Sequence, residues 1–166
     1  MQRVGMVVVG FVSAFVTLSV AGAEAAWKRY HGAACVPSGD QAQWSATSNG
    51  IANSETGMWL RSFICDMQES SSFLKASVTS INVYGEDRHP SMNPEARACV
   101  SFWASTGGTC GSPAGPTGVF MGQFAATPSP STWVSNPNEL GYVWLHLPSP
   151  SSSGTTTVHG MSILTP

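Results

Sequence analysis

The chain has 166 residues, with seven Lys and Arg against nine Asp and Glu, a formal net charge of −2. Only 10% of its residues are charged, well below the roughly 25% of an ordinary soluble protein. This excludes a basic nucleic-acid binder and a charge-rich disordered chain, while 42% hydrophobic residues and six Trp suffice for one real core.

The first element in chain order is an address. Arg3 precedes an apolar run from Val7 to Val20, followed by Ala21-Gly22-Ala23 and Ala23-Glu24-Ala25. A basic, then an apolar, then an A-x-A-type segment is the pattern of a secretory signal peptide. Residues 1–25 are therefore expected to be removed, by cleavage after Ala25 or Ala23, leaving 26–166 as a single exported domain. Ser13, Thr17 and Ser19 break the run short of the ~20 continuous apolar residues of a spanning helix. The expected location is secreted, periplasmic or extracellular, with no membrane span after cleavage.

From Trp27 onward no helical period is sustained, and short β-rich runs alternate with turn residues. Strands are predicted at 58–65, 74–84, 96–104, 119–124, 140–147 and 156–164, with weaker ones at 41–46 and 132–135. In 74–84 the apolar parity shifts between Val78 and Ile81, which implies a bulge. In 96–104, Ala98, Val100 and Phe102 share one face, and Cys99, Ser101 and Trp103 the other. Trp59 and Phe63 beside Cys65, and Trp103 beside Cys99, read as core aromatics packed on disulfides. Asn49-Gly50 signals a turn, and 88–94, 128–130 and 148–154 are Pro- or Ser-rich loops. About eight short strands at this spacing predict an all-β fold, an antiparallel β-sandwich of jelly-roll or Ig-like type. Its last run is expected to return into a sheet and close the fold.

Cys35, Cys65, Cys99 and Cys110 are an even set in an exported chain, so two disulfides are expected. The preferred pairing is Cys35–Cys65 with Cys99–Cys110. The second pair brackets Thr106-Gly107-Gly108, a turn that lets two Cys face each other across a hairpin. Zinc cysteines come as C-x₂₋₄-C pairs, and the chain has none, so no metal is expected. Thr109-Cys110-Gly111-Ser112 partly matches a thiol-protease nucleophile segment, but a free thiol is disfavoured outside the cell.

The run 140–147 carries the most distinctive chemistry. As a strand it points Val143, Leu145 and Leu147 one way and Tyr142, Trp144 and His146 the other. Neighbours on that face lie ~7 Å apart, so Tyr142 and Trp144 can form a ledge for sugar rings with His146 as a polar neighbour. The competing reading is that a loop or the facing sheet covers the stripe. Glu86-Asp87-Arg88-His89 is the densest polar cluster and reads as a solvated turn with Arg88 paired locally. Glu86 and Asp87 are the best available carboxylates for a hydrolase, although neighbours on a strand face opposite ways. There is no G-x-S-x-G, no H-E-x-x-H and no phosphate-loop Lys. His31, His89, His146 and His159 are scattered, and His159 beside Gly160 reads as structural. No catalytic residue and no cofactor is expected.

Several segments together resemble a family of small secreted bacterial proteins of uncharacterised function. They are Ala34-Cys35-Val36-Pro37, Asn49-Gly50-Ile51-Ala52-Asn53, Phe63-Ile64-Cys65, the run 83–89, Ala98-Cys99-Val100 and Leu145-His146-Leu147-Pro148. The resemblance covers about 34–164 and implies a signal peptide plus a Cys-containing β domain, with no activity or ligand. The leading expectation is a non-catalytic module binding extracellular or cell-surface glycans through Tyr142, Trp144 and His146. The alternatives are a structural or protein-interaction component of the cell envelope, and a carboxylate-dependent hydrolase.

Overall fold

Short strands separated by turns build the described part of the molecule. The computed structural model describes residues 25–38, 44–56, 60–70, 73–102, 104–118 and 120–166. Residues 1–24 of the expected leader therefore lie outside the described residues, as do Trp59 and Trp103. Among the described residues, no helix is long and apolar enough to cross a membrane.

Eleven strands are present among the described residues: β1 (Ala26–His31), β2 (Val36–Pro37), β3 (Trp44–Thr47), β4 (Gly50–Asn53), β5 (Leu60–Asp66), β6 (Ser80–Asp87), β7 (Glu95–Ser101), β8 (Gly108–Cys110), β9 (Gly122–Ala126), β10 (Leu140–Pro148) and β11 (Thr157–Thr165). One sheet has the order β3-β4-β11-β6-β9, with β1 also paired to β11; the other runs β2-β5-β10-β7-β8. The described pairings are antiparallel. The fold is thus the expected all-β sandwich, and β11 returns to the middle of its sheet.

The core lies between the two inner faces. Ile81 and Val83 of β6 and Val158, Met161 and Ile163 of β11 meet Phe63, Val100, Val143, Leu145 and Leu147 from the other sheet. Burying each such aliphatic or aromatic side chain stabilises by about 1.5–3 kcal/mol. The disulfides are Cys35–Cys65 and Cys99–Cys110. Cys35 and Cys65 belong to the core cluster with Phe63, as expected. Cys99 and Cys110 are direct cross-strand partners in the β7–β8 hairpin, whose turn includes Gly107 at φ +143°.

Three local expectations are corrected. The first part of 74–84 is a 3-10 turn at Lys75–Ser77, and the strand begins only at Ser80. The turn, rather than a bulge, shifts the apolar parity: it sends both Lys75 and Val78 inward. The register irregularity lies instead on β11, between Val158 and Gly160. The segment expected as a strand at 132–135 is a short helix, α1 (Ser131–Ser135). Pro130 starts it, its carbonyl accepting from the N–H groups of Trp133 and Val134. Trp133 is fully buried and donates its indole N–H to the Cys99 carbonyl at 2.8 Å.

Lys75 is also fully buried. Its aliphatic stem runs over Gly141, where a side chain would collide with it. Its Nζ donates to the Asn136 carbonyl at 2.5 Å. Burial pushes the amine below the usual lysine range, a shift opposed by Glu69 and Glu139.

Candidate functional site

The strand β10 presents Tyr142, Trp144 and His146 on the outer face of its sheet, as their alternation requires, while Val143, Leu145 and Leu147 are buried. All three are half-buried. Register places Asp66 and Cys99 beside Tyr142, Ile64 and Arg97 beside Trp144, and Ser62 and Glu95 beside His146. The Trp144 and His146 rings meet edge to face, with centroids 5.2 Å apart and planes at 78°. His146 therefore does not extend a flat ledge. The Trp144 Nε1 is buried and has no hydrogen-bond partner among the described residues, so the indole's polar tip does not face solvent.

Electrostatics around the stripe are local. His146 Nδ1 lies 3.7 Å from Glu95 Oε2, which also takes Arg97 at 3.3 Å. Burial lowers the His146 pKa below 6.5; Glu95 works against that shift and Arg97 with it. Burial likewise raises the Tyr142 phenol above 10.

The Glu86–His89 cluster is not a solvated turn. Only its Arg88–Glu86 ion pair matches that expectation. Asp87 occupies an inward position at the end of β6 and is fully buried. One of its oxygens accepts from Thr156 Oγ1 at 2.7 Å and from the His89 N–H at 3.0 Å. His89 is buried too, its Nδ1 accepting from the N–H groups of Ser91 and Met92. The cluster pins a loop to the sandwich edge. Glu86 faces outward and Asp87 inward, so the two carboxylates do not flank one bond. Among the described residues, no three His, Cys, Asp or Glu side chains are grouped to hold a metal ion.

A second surface was not anticipated from the sequence. The outer face of the β1–β11–β6 sheet carries a groove of about 480 Å³ lined by Trp27, Arg29, Tyr84, His159, Gly160 and Ser162. Alternation along β1 turns Trp27 and Arg29 outward together, opposite Leu164 and Ser162 of β11. On the far side of β11, Tyr84 stands opposite Gly160. Trp27 is 52% exposed and Tyr84 44% exposed, more open than any ring of the β10 stripe. With strands ~4.8 Å apart and ~3.4 Å per residue, the two aromatic positions lie about 17 Å apart along a diagonal.

The floor of this groove is shaped by small residues. Gly160 contributes no side chain, and Ser162 Oγ donates to the Tyr84 hydroxyl at 3.3 Å. At the bulge, exposed His159 sets its Nδ1 2.5 Å from the Asn49 carbonyl. That geometry makes Nδ1 the protonated nitrogen and leaves Nε2 facing away from this bond. The sequence offered little signal for β1: Trp27-Lys28-Arg29-Tyr30 has no apolar–polar alternation, and the in–out pattern of its side chains comes from pairing with β11. No family model, no curated protein and no solved structure matches the chain.

Proposed function

We propose that the protein is an exported, non-catalytic binding module that takes glycan chains along the groove of the six-stranded sheet. The observation that carries this reading is the pair of exposed aromatic side chains, Trp27 and Tyr84, on one groove whose floor is kept low by Gly160. Sugar rings present apolar C–H faces that stack on such rings, while the hydroxyl and indole N–H meet their polar edges. A diagonal of this length suits an oligosaccharide rather than a single sugar. Export is supported by the leader-like sequence and by two disulfides, which persist in oxidising compartments. The resemblance to small secreted bacterial proteins fits the same reading.

The test is tryptophan fluorescence of the oxidised protein, with acrylamide quenching before and after addition of each member of a soluble polysaccharide panel. One polysaccharide should protect a quenchable Trp, and Trp27→Ala should abolish that protection while the β-sheet circular dichroism is retained. The β10 stripe is the internal comparison: protection lost in Trp144→Ala and kept in Trp27→Ala would move the site to Tyr142, Trp144 and His146. Indifference to every polysaccharide, together with self-association on a sizing column, would favour the envelope-interaction reading instead.

A further inference from the structure

Arginine pairing singles out one side chain. Of the four arginines among the described residues, Arg61 pairs with Glu55, Arg88 with Glu86 and Arg97 with Glu95. Arg29 has no ion pair among the described residues, although acids outnumber bases in the chain. It is exposed, and it stands in the groove between Trp27 and Tyr84, opposite Ser162. No carboxylate lines that groove; the other ionisable groups there are His159 and the two tyrosines, Tyr30 and Tyr84.

From this we infer that the groove is built for an acidic glycan, one whose sugar rings carry carboxylates, with Arg29 as the carboxylate-binding residue. The inference rests on the glycan reading of the groove proposed above. A guanidinium offers two parallel N–H donors in a plane, which matches a carboxylate and forms a strong charge-assisted pair. Flanking aromatic rings hold the sugars on either side, so the cation selects which residue of the chain sits at the middle of the diagonal. The neutral glycan would stack equally well but leave Arg29 without a partner.

The experiment compares polygalacturonate with its fully methyl-esterified form, which keeps the sugar backbone and removes the charge. Calorimetric titration of the oxidised protein at low ionic strength, where such attraction is least screened, should show the acid bound about tenfold more tightly than the ester. Arg29→Gln should erase that preference and leave the ester's affinity unchanged, whereas Trp27→Ala should weaken both. Arg97→Gln, on the other sheet, should change neither. Equal binding of acid and ester, both lost in Trp27→Ala, would overturn the acidic specificity and leave the glycan reading standing. A preference that survives Arg29→Gln would remove Arg29 from the role. Tighter binding of dextran sulfate than of polygalacturonate would replace carboxylate by sulfate recognition and overturn the inference as stated. Binding of none of these polymers would overturn the inference, with the wider polysaccharide panel deciding the glycan reading separately.

Discussion

Gly160 of β11 lies hard against the backbone of Tyr30 in β1: a methyl group on its α-carbon would sit 2.5 Å from the Tyr30 carbonyl oxygen. The neighbour is main chain, so it cannot swing aside as a side chain would. Gly160→Ala should therefore push β1 from β11 and cost about 1–3 kcal/mol, the usual range for overpacking. Trp27 and Arg29 ride on β1, so the proposed glycan binding should weaken along with stability. Urea denaturation checks the first effect. An unchanged midpoint would mean that β1 yields without cost.

The same substitution at two tryptophans should give unequal losses. Trp133 Nε1 donates to the Cys99 carbonyl, whereas Trp144 Nε1 is buried without a partner among the described residues. Trp133→Phe removes this buried indole bond and leaves space around a smaller ring, at a cost of about 1–3 kcal/mol. Trp144→Phe removes an unpaired N–H and should change stability by less than about 1 kcal/mol. Thermal or urea midpoints of the two variants decide it. Equal losses would show that Trp144 Nε1 finds a partner in solution.

Those two residues also mark where the sequence was readable. Strict alternation in 140–147 announced β10 and its two faces, and Gly107-Gly108 between two cysteines announced a hairpin with its bridge. Parity shows which residues share a face but not what lies over that face, so the half-burial of Trp144 was not legible. Short elements were the other blind spot. Six residues at Ala26–His31 become a strand only because β11 pairs with them along their whole length. Trp133 carried β-like neighbours, yet Pro130 and the pull of a buried indole made a helical turn. Asp87 read as surface because its charge is costly to bury, and in the fold it is held by the nearby His89 N–H and by Thr156, 69 residues away. Local pattern carries no trace of such a distant partner.

His146 should titrate below the ordinary 6.5 in the folded protein, chiefly because it is buried. Its folded pKa is thus lower than its unfolded one. Below 6.5 the unfolded chain takes up a proton that the folded protein resists, so stability is fully present above 6.5 and declines as pH falls toward the folded value. Proton-detected NMR titration of the imidazole signals gives the order of the histidines. Glu95→Gln should lower the His146 value further, since Glu95 favours the charged form. A rise in Glu95→Gln would mean that Arg97, once released, moves away from His146 and matters more than Glu95.

The two bridges should not contribute equally. Cys35–Cys65 spans 30 residues of sequence and Cys99–Cys110 only 11. Chain-entropy arithmetic gives about 3.6 kcal/mol for the longer loop and about 2.8 kcal/mol for the shorter. Packing adds to the difference: both Cys35 and Cys65 are buried in the apolar core, while Cys110 is only half-buried. Cys35→Ala with Cys65→Ala should therefore lower stability by about 1 kcal/mol or more beyond Cys99→Ala with Cys110→Ala. Chemical denaturation of the two double variants, each with its remaining bridge oxidised, measures this directly. A larger loss from the hairpin pair would show that its bridge does more than restrict the unfolded chain. It would then be holding β8 in register on β7, adding to the pairing of Gly108–Cys110 and the backbone bonds of Gly111 to Ala98 and of Ala114 to Ala96.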